Sequence, residues 1–188
     1  MAIKRCQWAE GMFDEYVKYH DEEWGVPVYD DQVHFEFLIL ESAQAGLSWS
    51  TVLKKREGYR KAFANFDVNK VSEYDESHIE ELTKDLGIIR NRQKIAAAVN
   101  NANRFLEVQK EFGSFSNYIW GFVNNKTIDH ECKSSKSVPA TSPESDLLAK
   151  DLKKRGFKFL GSTTIYAHMQ ATGLINDHTV ECFRHKQV

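Results

Sequence analysis

Four residues near the two ends of the chain are the first that could carry chemistry. Cys6 and His20 lie near one end, and His178 and Cys182 lie near the other. The His178-x-x-x-Cys182 spacing places two side chains on one face of a helical turn, and two thiolates with two imidazoles complete a tetrahedral zinc site. Four protein ligands leave no position for water, so such a zinc would be structural rather than catalytic. Buried cysteines and histidines that only pack in a core are the alternative.

The cysteine count and the charge balance exclude several classes of protein. Three cysteines, an odd number spread over 188 residues, do not indicate a disulfide framework. The sequence has no apolar run that could span a membrane and no apolar signal region. We therefore expect a cytoplasmic protein without a membrane partner. We also expect a monomer, although the sequence does not determine the oligomeric state. The net charge is −2, so binding to nucleic acid would have to come from local basic clusters.

Two short connections between predicted helices, 86–90 and 156–162, are candidates for contact with a DNA backbone. Each combines glycine with apolar residues, and each is followed by the start of a helix, whose free N–H groups suit a phosphate. An ordinary helix–helix connection is the alternative for either segment alone. The second connection has the denser basic surroundings, formed by Lys153, Lys154, Arg155 and Lys158. The pair indicates helix-hairpin-helix binding, which positions DNA without reading its sequence, with Arg155, Lys158 and Gly161 as contacts.

The elements that would position these residues are mostly helical. Apolar residues recur at helical spacing and strand signals are few, so we predict an all-α fold. Ser48 is predicted to cap one helix, and Ser77 with Glu80 is predicted to form a capping box for the next. Segment 115–123 is predicted to be aromatic-rich and buried, and 126–143 to be weakly structured. The predicted helices span 34–41, 49–63, 77–85, 94–112, 145–154 and 163–172.

Three separated motifs carry a resemblance to a known family. They combine aromatic, acidic and metal-ligand residues, and further matches extend from about Cys6 to Cys182, nearly the whole chain. Together they closely resemble the type I, constitutive 3-methyladenine DNA glycosylase family. The three motifs are Cys6-x-Trp8, then Tyr19-His20-Asp21-x-Glu23-Trp24-Gly25-x-Pro27, and then Glu41-x-x-Gln44-Ala45-Gly46-Leu47-Ser48-Trp49.

The resemblance implies a fold, a reaction and a metal. The fold would be that of a helix-hairpin-helix DNA glycosylase, a single domain over residues 1–188. Its end segments, about 1–30 and 165–188, would be joined by one structural zinc. The reaction would be hydrolysis of the N-glycosidic bond of 3-methyladenine in alkylated double-stranded DNA, which releases the free base and leaves an abasic site. The base would leave the duplex before it is cleaved.

Matching positions imply a role for individual residues. Glu41 would be the catalytic residue and would lie in the base pocket, whether as a base, an electrostatic stabiliser or only a recognition group. The loop from Gln44 to Leu47 would enter the gap that the extruded base leaves, with Gly46 among its DNA contacts. The aromatic residues of the base pocket would be Trp8, Tyr19, Trp24 and Trp49. The zinc ligands would be Cys6, His20, His178 and Cys182. Cys132 matches no motif and receives no role.

These residue types suit the chemistry of a methylated base. N3-methylation leaves the adenine cationic, and a cation gains attraction between aromatic faces. A carboxylate such as Glu41 accepts a hydrogen bond from the exocyclic amine and favours the positive ring. A solvent-exposed Glu41, and aromatics that only pack in the core, are the alternatives. Many relatives in the superfamily use an aspartate after the second hairpin, but we expect Asp177 to support the zinc ligand His178 as an outer partner instead.

Two other classes of protein fit part of the pattern. A non-catalytic, zinc-stabilised DNA-binding module would use the two hairpins and would need no carboxylate in a pocket. A zinc hydrolase would need an open metal position, which four protein ligands do not leave. No motif places a lysine as a Schiff-base nucleophile, so we expect a monofunctional glycosylase without strand-cleaving lyase activity.

Overall fold

Ten α-helices account for most of residues 3–188, which are the residues that the computed structural model describes. This confirms the mostly helical class that the hydrophobic pattern predicts. Short 3-10 helices cover Gln7–Ala9, Ala64–Phe66 and Ser135–Ser137, and two strands, β1 (Ile128–Asp129) and β2 (Ile175–Asn176), form one short sheet. The helices are α1 (Asp14–Glu22), α2 (Asp31–Gln44), α3 (Trp49–Leu53), α4 (Arg56–Ala62), α5 (Val68–Ser72), α6 (Glu76–Leu82), α7 (Arg92–Phe112), α8 (Phe115–Gly121), α9 (Pro143–Lys154) and α10 (Ser162–Ala171).

Helix α2 forms the centre of the core because it is buried on almost every side. All the residues from His34 to Ala43 are buried, as expected for a helix without a polar face. Asp30 caps its first turn by accepting hydrogen bonds from the N–H groups of Gln32 and Val33. Helices α3, α7, α8 and α10 pack around α2. A helix enclosed in this way holds its side chains in fixed positions.

The helix predicted over 49–63 is two helices in the structure. Ser48 caps α3 as predicted, its hydroxyl accepting from the N–H of Thr51, but the chain turns after Leu53 and α4 begins at Arg56. The turn brings the Arg56 guanidinium to Glu36 on α2, with a nitrogen–oxygen distance of 2.8 Å. Because a buried carboxylate without a partner is costly, this long-range ion pair favours the break over a continuous helix.

The capping box predicted for Ser77 and Glu80 is wrong by two residues. Asp75 caps α6, and its carboxylate accepts from the N–H of His78 at 3.0 Å. An aspartate at this position also adds a negative charge at the positive end of the helix dipole. Helix α6 therefore begins at Glu76 and ends at Leu82, earlier than predicted at both ends.

The stretch 126–143 is mostly irregular, as predicted, but it is anchored at one point. Strands β1 and β2 pair in parallel, with Ile128 opposite Ile175 and Asp129 opposite Asn176. The pairing fixes this stretch beside the end of α10. Local sequence carries no signal for a partner so distant in the chain. Within residues 3–188, the helices are all too short or too polar to cross a membrane.

Candidate functional site

A cavity of about 350 Å³ lies between α1, α2, α3 and α10. Its volume is in the range of small-molecule sites. The five residues predicted to bind a base all line this cavity, as does Gln44 of the predicted DNA-contacting loop. The lining residues are Trp8, Tyr16, Tyr19, Trp24, Glu41, Gln44, Trp49, Ser135, Val138, Ala167 and Gln170.

Aromatic rings form most of the cavity wall and hold one another in place. Trp8 packs edge-on against Trp24, with ring centroids 4.9 Å apart, and Tyr19 packs against Trp49 at 5.3 Å. Such tilted and edge-on pairs are favourable beyond the apolar area that they bury. The indole nitrogen of Trp49 is buried, and no hydrogen-bond acceptor within residues 3–188 contacts it. The wall is therefore apolar and preorganised, with few polar atoms.

Among the described residues of the cavity wall, Glu41 is the one acidic side chain. It lies in the last turns of α2 with 5% of its surface exposed, which rules out the solvent-exposed alternative. No hydrogen bond joins its carboxylate to any residue in the described part of the chain. Burial raises the pKa of this carboxyl to about 8, because a charged group loses its hydration in an apolar site. A cation in the cavity would favour the ionised form of Glu41.

Sequence analysis did not predict α1 as a helix. This helix supplies residues to both the cavity and the cysteine–histidine cluster. Tyr16 and Tyr19 are three residues apart and share one face, while His20 points to the cluster. The spacing could therefore have identified Tyr16 as a cavity residue. The other cavity residues that sequence reasoning missed are Ser135, Val138, Ala167 and Gln170.

The loop after α2 projects from the cavity edge, where the sequence predicted a DNA contact. Gly46 adopts a left-handed backbone with φ +81°, which suits glycine. Leu47 is 43% exposed, which is high for a leucine. The Lys94 ammonium donates to the carbonyl oxygens of Ala43 at 2.9 Å and Ala45 at 2.6 Å. These bonds hold the base of the loop and leave its tip free.

The connection between α9 and α10 forms a tight hairpin that is braced by α7. Asn101 donates from its amide to the carbonyl of Lys158 at 2.9 Å and accepts from the N–H of Lys158 at 2.8 Å. Gly156 adopts φ +89°. Gly161 precedes α10 without a side-chain cap, and a Cβ added to it would meet nothing within 4 Å. The first turn of α10 therefore presents backbone N–H groups beside the exposed Lys158.

The structure does not support the predicted DNA contact for Arg155. Its guanidinium pairs with Glu111 at 2.7 Å and with Asp151 at 2.6 Å. It also lies over the rings of Phe112 and Tyr118. These contacts raise the pKa of Arg155, first through the hydrogen bond to Glu111. An arginine with two carboxylate partners is engaged within the protein.

The segment 86–90 packs against the protein rather than presenting an open backbone. A Cβ added to Gly58 on α4 would lie 2.1 Å from the carbonyl oxygen of Gly87. Lys55 donates to the carbonyl of Leu86 at 2.8 Å. Gly58 therefore permits the close approach of α4 to this connection, while a Cβ added to Gly87 would lie 3.3 Å from the Cα of Gly58. The second hairpin is the better candidate for contact with a phosphate.

The four cysteine and histidine residues from the two ends of the chain meet in one buried cluster. Their ligand atoms all lie within 4.8 Å of one another. The Cys182 sulfur lies 3.5 Å from His178 Nδ1 and 3.6 Å from His20 Nε2, and the Cys6 sulfur lies 3.5 Å from His178 Nδ1. Sulfur and nitrogen ligands of a tetrahedral zinc are separated by about 3.5 Å, given their usual bond lengths. The cluster can therefore hold a metal ion.

Each histidine of the cluster uses its second ring nitrogen for a further hydrogen bond. His20 Nδ1 bonds Asp21 at 2.8 Å, and Arg5 pairs with the same carboxylate. His178 Nε2 bonds the carbonyl of Trp24 at 2.9 Å. Outer partners of this kind orient metal-binding imidazoles. His178 and Cys182 lie on an irregular turn and not on the helical turn that their spacing predicts.

Asp177 does not contact the cluster, so the prediction that it supports His178 is wrong. Its carboxylate bonds the Tyr166 hydroxyl at 2.6 Å, the Gln170 amide at 2.7 Å and His130 at 2.8 Å. The Cys132 thiol lies 3.5 Å from the same carboxylate. The side chain points away from that of its neighbour in sequence. It forms the centre of a separate polar network under the cavity wall.

Known proteins resemble this chain over nearly its whole length. The model of the methyladenine glycosylase family matches residues 8–185. DNA-3-methyladenine glycosylase 1 of Escherichia coli (strain K12) is 46% identical over 180 residues, which are 96% of either chain. DNA-3-methyladenine glycosylase of Haemophilus influenzae is 47% identical over 178 residues, which are 95% of this chain and 96% of that one.

Solved structures give the same result for the fold. A crystal structure of 3-methyladenine DNA glycosylase I superposes with a TM-score of 0.93 at 46% identity, covering 96% of this chain and 98% of that one. A structure from Staphylococcus aureus that describes 3-methyladenine recognition superposes with a TM-score of 0.91 at 38% identity, covering 97% of both chains. Agreement in sequence and fold over this length leads to one conclusion: the chain belongs to the methyladenine glycosylase family.

Proposed function

We propose that this protein hydrolyses the N-glycosidic bond of 3-methyladenine in alkylated double-stranded DNA. The products are the free base and an abasic site. The observation that carries the proposal is Glu41, a buried carboxylate without a hydrogen-bond partner within residues 3–188, in an aromatic cavity of about 350 Å³. Family membership and the E. coli relative's name, DNA-3-methyladenine glycosylase 1, support the choice of base.

The cavity suits a cationic base that has left the duplex. Extrusion of a base costs a few kcal/mol, and stacking on aromatic side chains returns roughly 1–3 kcal/mol per base. The positive ring of N3-methylated adenine gains further attraction from Trp8, Tyr19, Trp24 and Trp49. The ionised Glu41 carboxylate accepts a hydrogen bond from the exocyclic amine and lowers the free energy of the cation. A neutral purine loses the charge-dependent part of this binding.

The charge on the base also explains why so few acidic and basic side chains are needed. A cationic leaving group departs without prior protonation, so water can attack the sugar as positive charge develops there. The residues described as lining the cavity include no lysine. A Schiff-base intermediate therefore has no nucleophile at this site, which supports a monofunctional enzyme without lyase activity.

The DNA backbone is held by the hairpin between α9 and α10. The open N–H groups at the start of α10 suit a phosphate, and Lys158 adds a positive charge. Gln44, Gly46 and Leu47 enter the duplex beside the cavity, with the exposed Leu47 filling the space of the extruded base. These contacts do not depend on sequence, as a repair enzyme that searches for damage requires.

The cysteine–histidine cluster holds one structural zinc. Two thiolates and two imidazoles whose ligand atoms lie within 4.8 Å of one another form a closed ligand set for a tetrahedral ion. When bound, the ion supplies a cross-link between the first and last segments of the chain. Because the cluster leaves no ligand position for water, a zinc-hydrolase mechanism is not supported.

Release of base from methylated DNA tests the proposal directly. Duplex DNA treated with a methylating agent is incubated with the metal-loaded protein, and the released bases are separated by chromatography. We expect free 3-methyladenine and unbroken abasic strands. DNA binding without base release would favour the non-catalytic DNA-binding module, and strand cleavage or a borohydride-trapped adduct would contradict the monofunctional mechanism.

A further inference from the structure

The cavity contains one neutral side chain whose orientation is fixed from outside the cavity. Gln170 lines the cavity from α10, and its amide nitrogen donates to Asp177 at 2.7 Å. An ionised carboxylate only accepts hydrogen bonds. The amide nitrogen must therefore face Asp177, which turns the carbonyl oxygen Oε1 away from it. No donor within residues 3–188 bonds this oxygen, so it is free to accept a hydrogen bond in the cavity.

Asp177 is itself held rigidly. It is 1% exposed, and the Tyr166 hydroxyl, the His130 ring and the Cys132 thiol bond its two oxygens together with Gln170. A carboxylate with this many donors is oriented on both oxygens. It does not line the cavity. Among the described residues that line the cavity, Gln170 is the one that bonds Asp177, so we infer that Asp177 acts on the cavity through Gln170.

We propose that Gln170 Oε1 accepts a hydrogen bond from the water that attacks the sugar, and that Asp177 is the positioning residue for this oxygen. The inference rests on the proposed function, because the sugar is attacked only if the chain cleaves the glycosidic bond. Helix α10 begins at the hairpin assigned to the DNA backbone, and Gln170 lies about 12 Å further along it. Glu41 lines the cavity from a different helix, α2. The sugar joins the phosphate to the base, and we place it on the side of α10, the helix whose first turn is assigned to the phosphate.

The proposed step balances without another reactant. The water oxygen forms a bond to the sugar C1′, the bond from C1′ to the base nitrogen breaks, and its electron pair neutralises the cationic ring. The water loses its proton to solvent. A neutral amide carbonyl does not retain that proton. The role of Gln170 is therefore to orient the water so that a lone pair of the water oxygen points at C1′.

A Gln170→Leu variant tests the proposal because it keeps the bulk and removes the acceptor. Two quantities are measured with metal-loaded protein: the single-turnover rate of 3-methyladenine release, and the affinity for free 3-methyladenine from tryptophan fluorescence. We expect the rate to fall at least about tenfold and the affinity to stay within about twofold. A rate near that of wild type overturns the proposal. A parallel loss of affinity also overturns it, because the carbonyl would then contact the base.

Asp177→Asn tests the positioning role separately. The new amide can pair with Gln170 in either orientation, so the carbonyl is no longer fixed. We expect a smaller loss of rate than in Gln170→Leu, with base affinity kept. A folded Asp177→Asn protein with the full rate would overturn the positioning role. Gln93→Leu, on an exposed site of α7, is the matched control and should keep the wild-type rate.

The same experiment separates this inference from the proposed function. A wild-type protein that releases no base overturns both. If the wild type releases 3-methyladenine and Gln170→Leu releases it equally fast, the proposed function is supported and only the role of Gln170 is overturned.

Discussion

Glu41 and Asp177 are both buried carboxylates, with 5% and 1% of their surface exposed, but their surroundings are opposite. Asp177 accepts hydrogen bonds from Tyr166, Gln170 and His130. Glu41 has no such partner in the described part of the chain, and burial raises its pKa to about 8. The first carboxylate is part of the framework of the fold. Glu41, which lacks such partners, destabilises the free protein.

This difference indicates where a ligand belongs. A buried acid without a donor is costly, and shifted pKa values are concentrated at functional sites. Asp177 already has all the donors that it needs, so no ligand is required to satisfy it. A cationic ligand beside Glu41 would stabilise the ionised form. Burial alone therefore does not identify the functional acid, whereas burial without a partner does.

Removal of the metal should have the largest effect on stability. It extends the comparison to the cysteine–histidine cluster, whose polar side chains, like Asp177, have partners within the fold. Binding energy at a structural zinc site is folding energy, often on the order of 10 kcal/mol. We expect one zinc per chain, and we expect chelation or Cys182→Ser to lower the melting temperature by more than about 10 °C.

Metal analysis and melting curves check this prediction, with Cys132→Ser as the control outside the ligand cluster. Excision activity should follow the folded fraction. A wild type that is fully stable without metal would remove the zinc assignment. A Cys182→Ser protein that is fully folded but inactive would point to a catalytic metal.

Glu41→Gln should give the largest loss of activity in a protein that stays folded. The change keeps the size of the side chain, removes its negative charge and turns an amide donor towards the base. We expect the excision rate to fall by about 100-fold or more, on the scale of one lost electrostatic contact in a transition state. DNA affinity should be retained. Single-turnover release and a DNA-binding titration measure the two quantities, and unchanged turnover would favour the non-catalytic binding module.

The stability of the free protein should depend on pH through Glu41. The pKa of this carboxyl is raised in the fold to about 8, so its contribution to stability is fully present below the unfolded value, near 4.5. That contribution is lost as pH rises from about 4.5 through 8, on the order of 5 kcal/mol in total. Denaturant unfolding between pH 5 and 8.5 should show this loss relative to Glu41→Gln. Parallel curves for the two proteins would show that Glu41 titrates normally.

Asp177→Asn should affect stability where Glu41→Gln does not. The asparagine leaves at least one of the donors around residue 177 without an acceptor, at a cost of about 2 kcal/mol. Denaturant midpoints at pH 7 compare the two variants, and Glu41→Gln should equal or exceed the wild type. The comparison between the two acids fails if both substitutions lower stability equally.

The smallest expected effect is on DNA binding and its salt dependence, which should change in a Lys158 variant but not in an Arg155 variant. Lys158→Ala should weaken binding to any DNA sequence by several-fold and lower the salt dependence by about one ion. Arg155→Ala should leave that salt dependence unchanged and lower stability instead, because its partners are Glu111 and Asp151. Binding titrations at several salt concentrations check both. Equal slopes for Lys158→Ala and wild type would remove the hairpin from the DNA contact.

Local patterns predicted some helices closely, since α7 and α10 begin and end within two residues of their predicted bounds, but they did not predict α1 or α5. The fold also brings together the residues that the family resemblance implied for the pocket and for the metal. What sequence missed depends on distant partners. The break before α4 follows from an ion pair with Glu36. Two neighbours of Asp177, His130 and Cys132, lie 47 and 45 residues from it in sequence. Sequence analysis predicted a DNA contact for Arg155 because its partner Glu111 lies on another helix, α7, where local sequence does not reveal the ion pair.

The Asn101 side chain bonds Lys158 at the Lys158 backbone. It accepts a hydrogen bond from the N–H and donates one to the carbonyl. The shape of the hairpin is therefore independent of the side chain at position 158. Substitutions there can change charge and length while the loop keeps its form, so the strength of the proposed DNA contact can change during evolution without a loss of folding. Asn101 has no such freedom, because a single residue supplies both bonds.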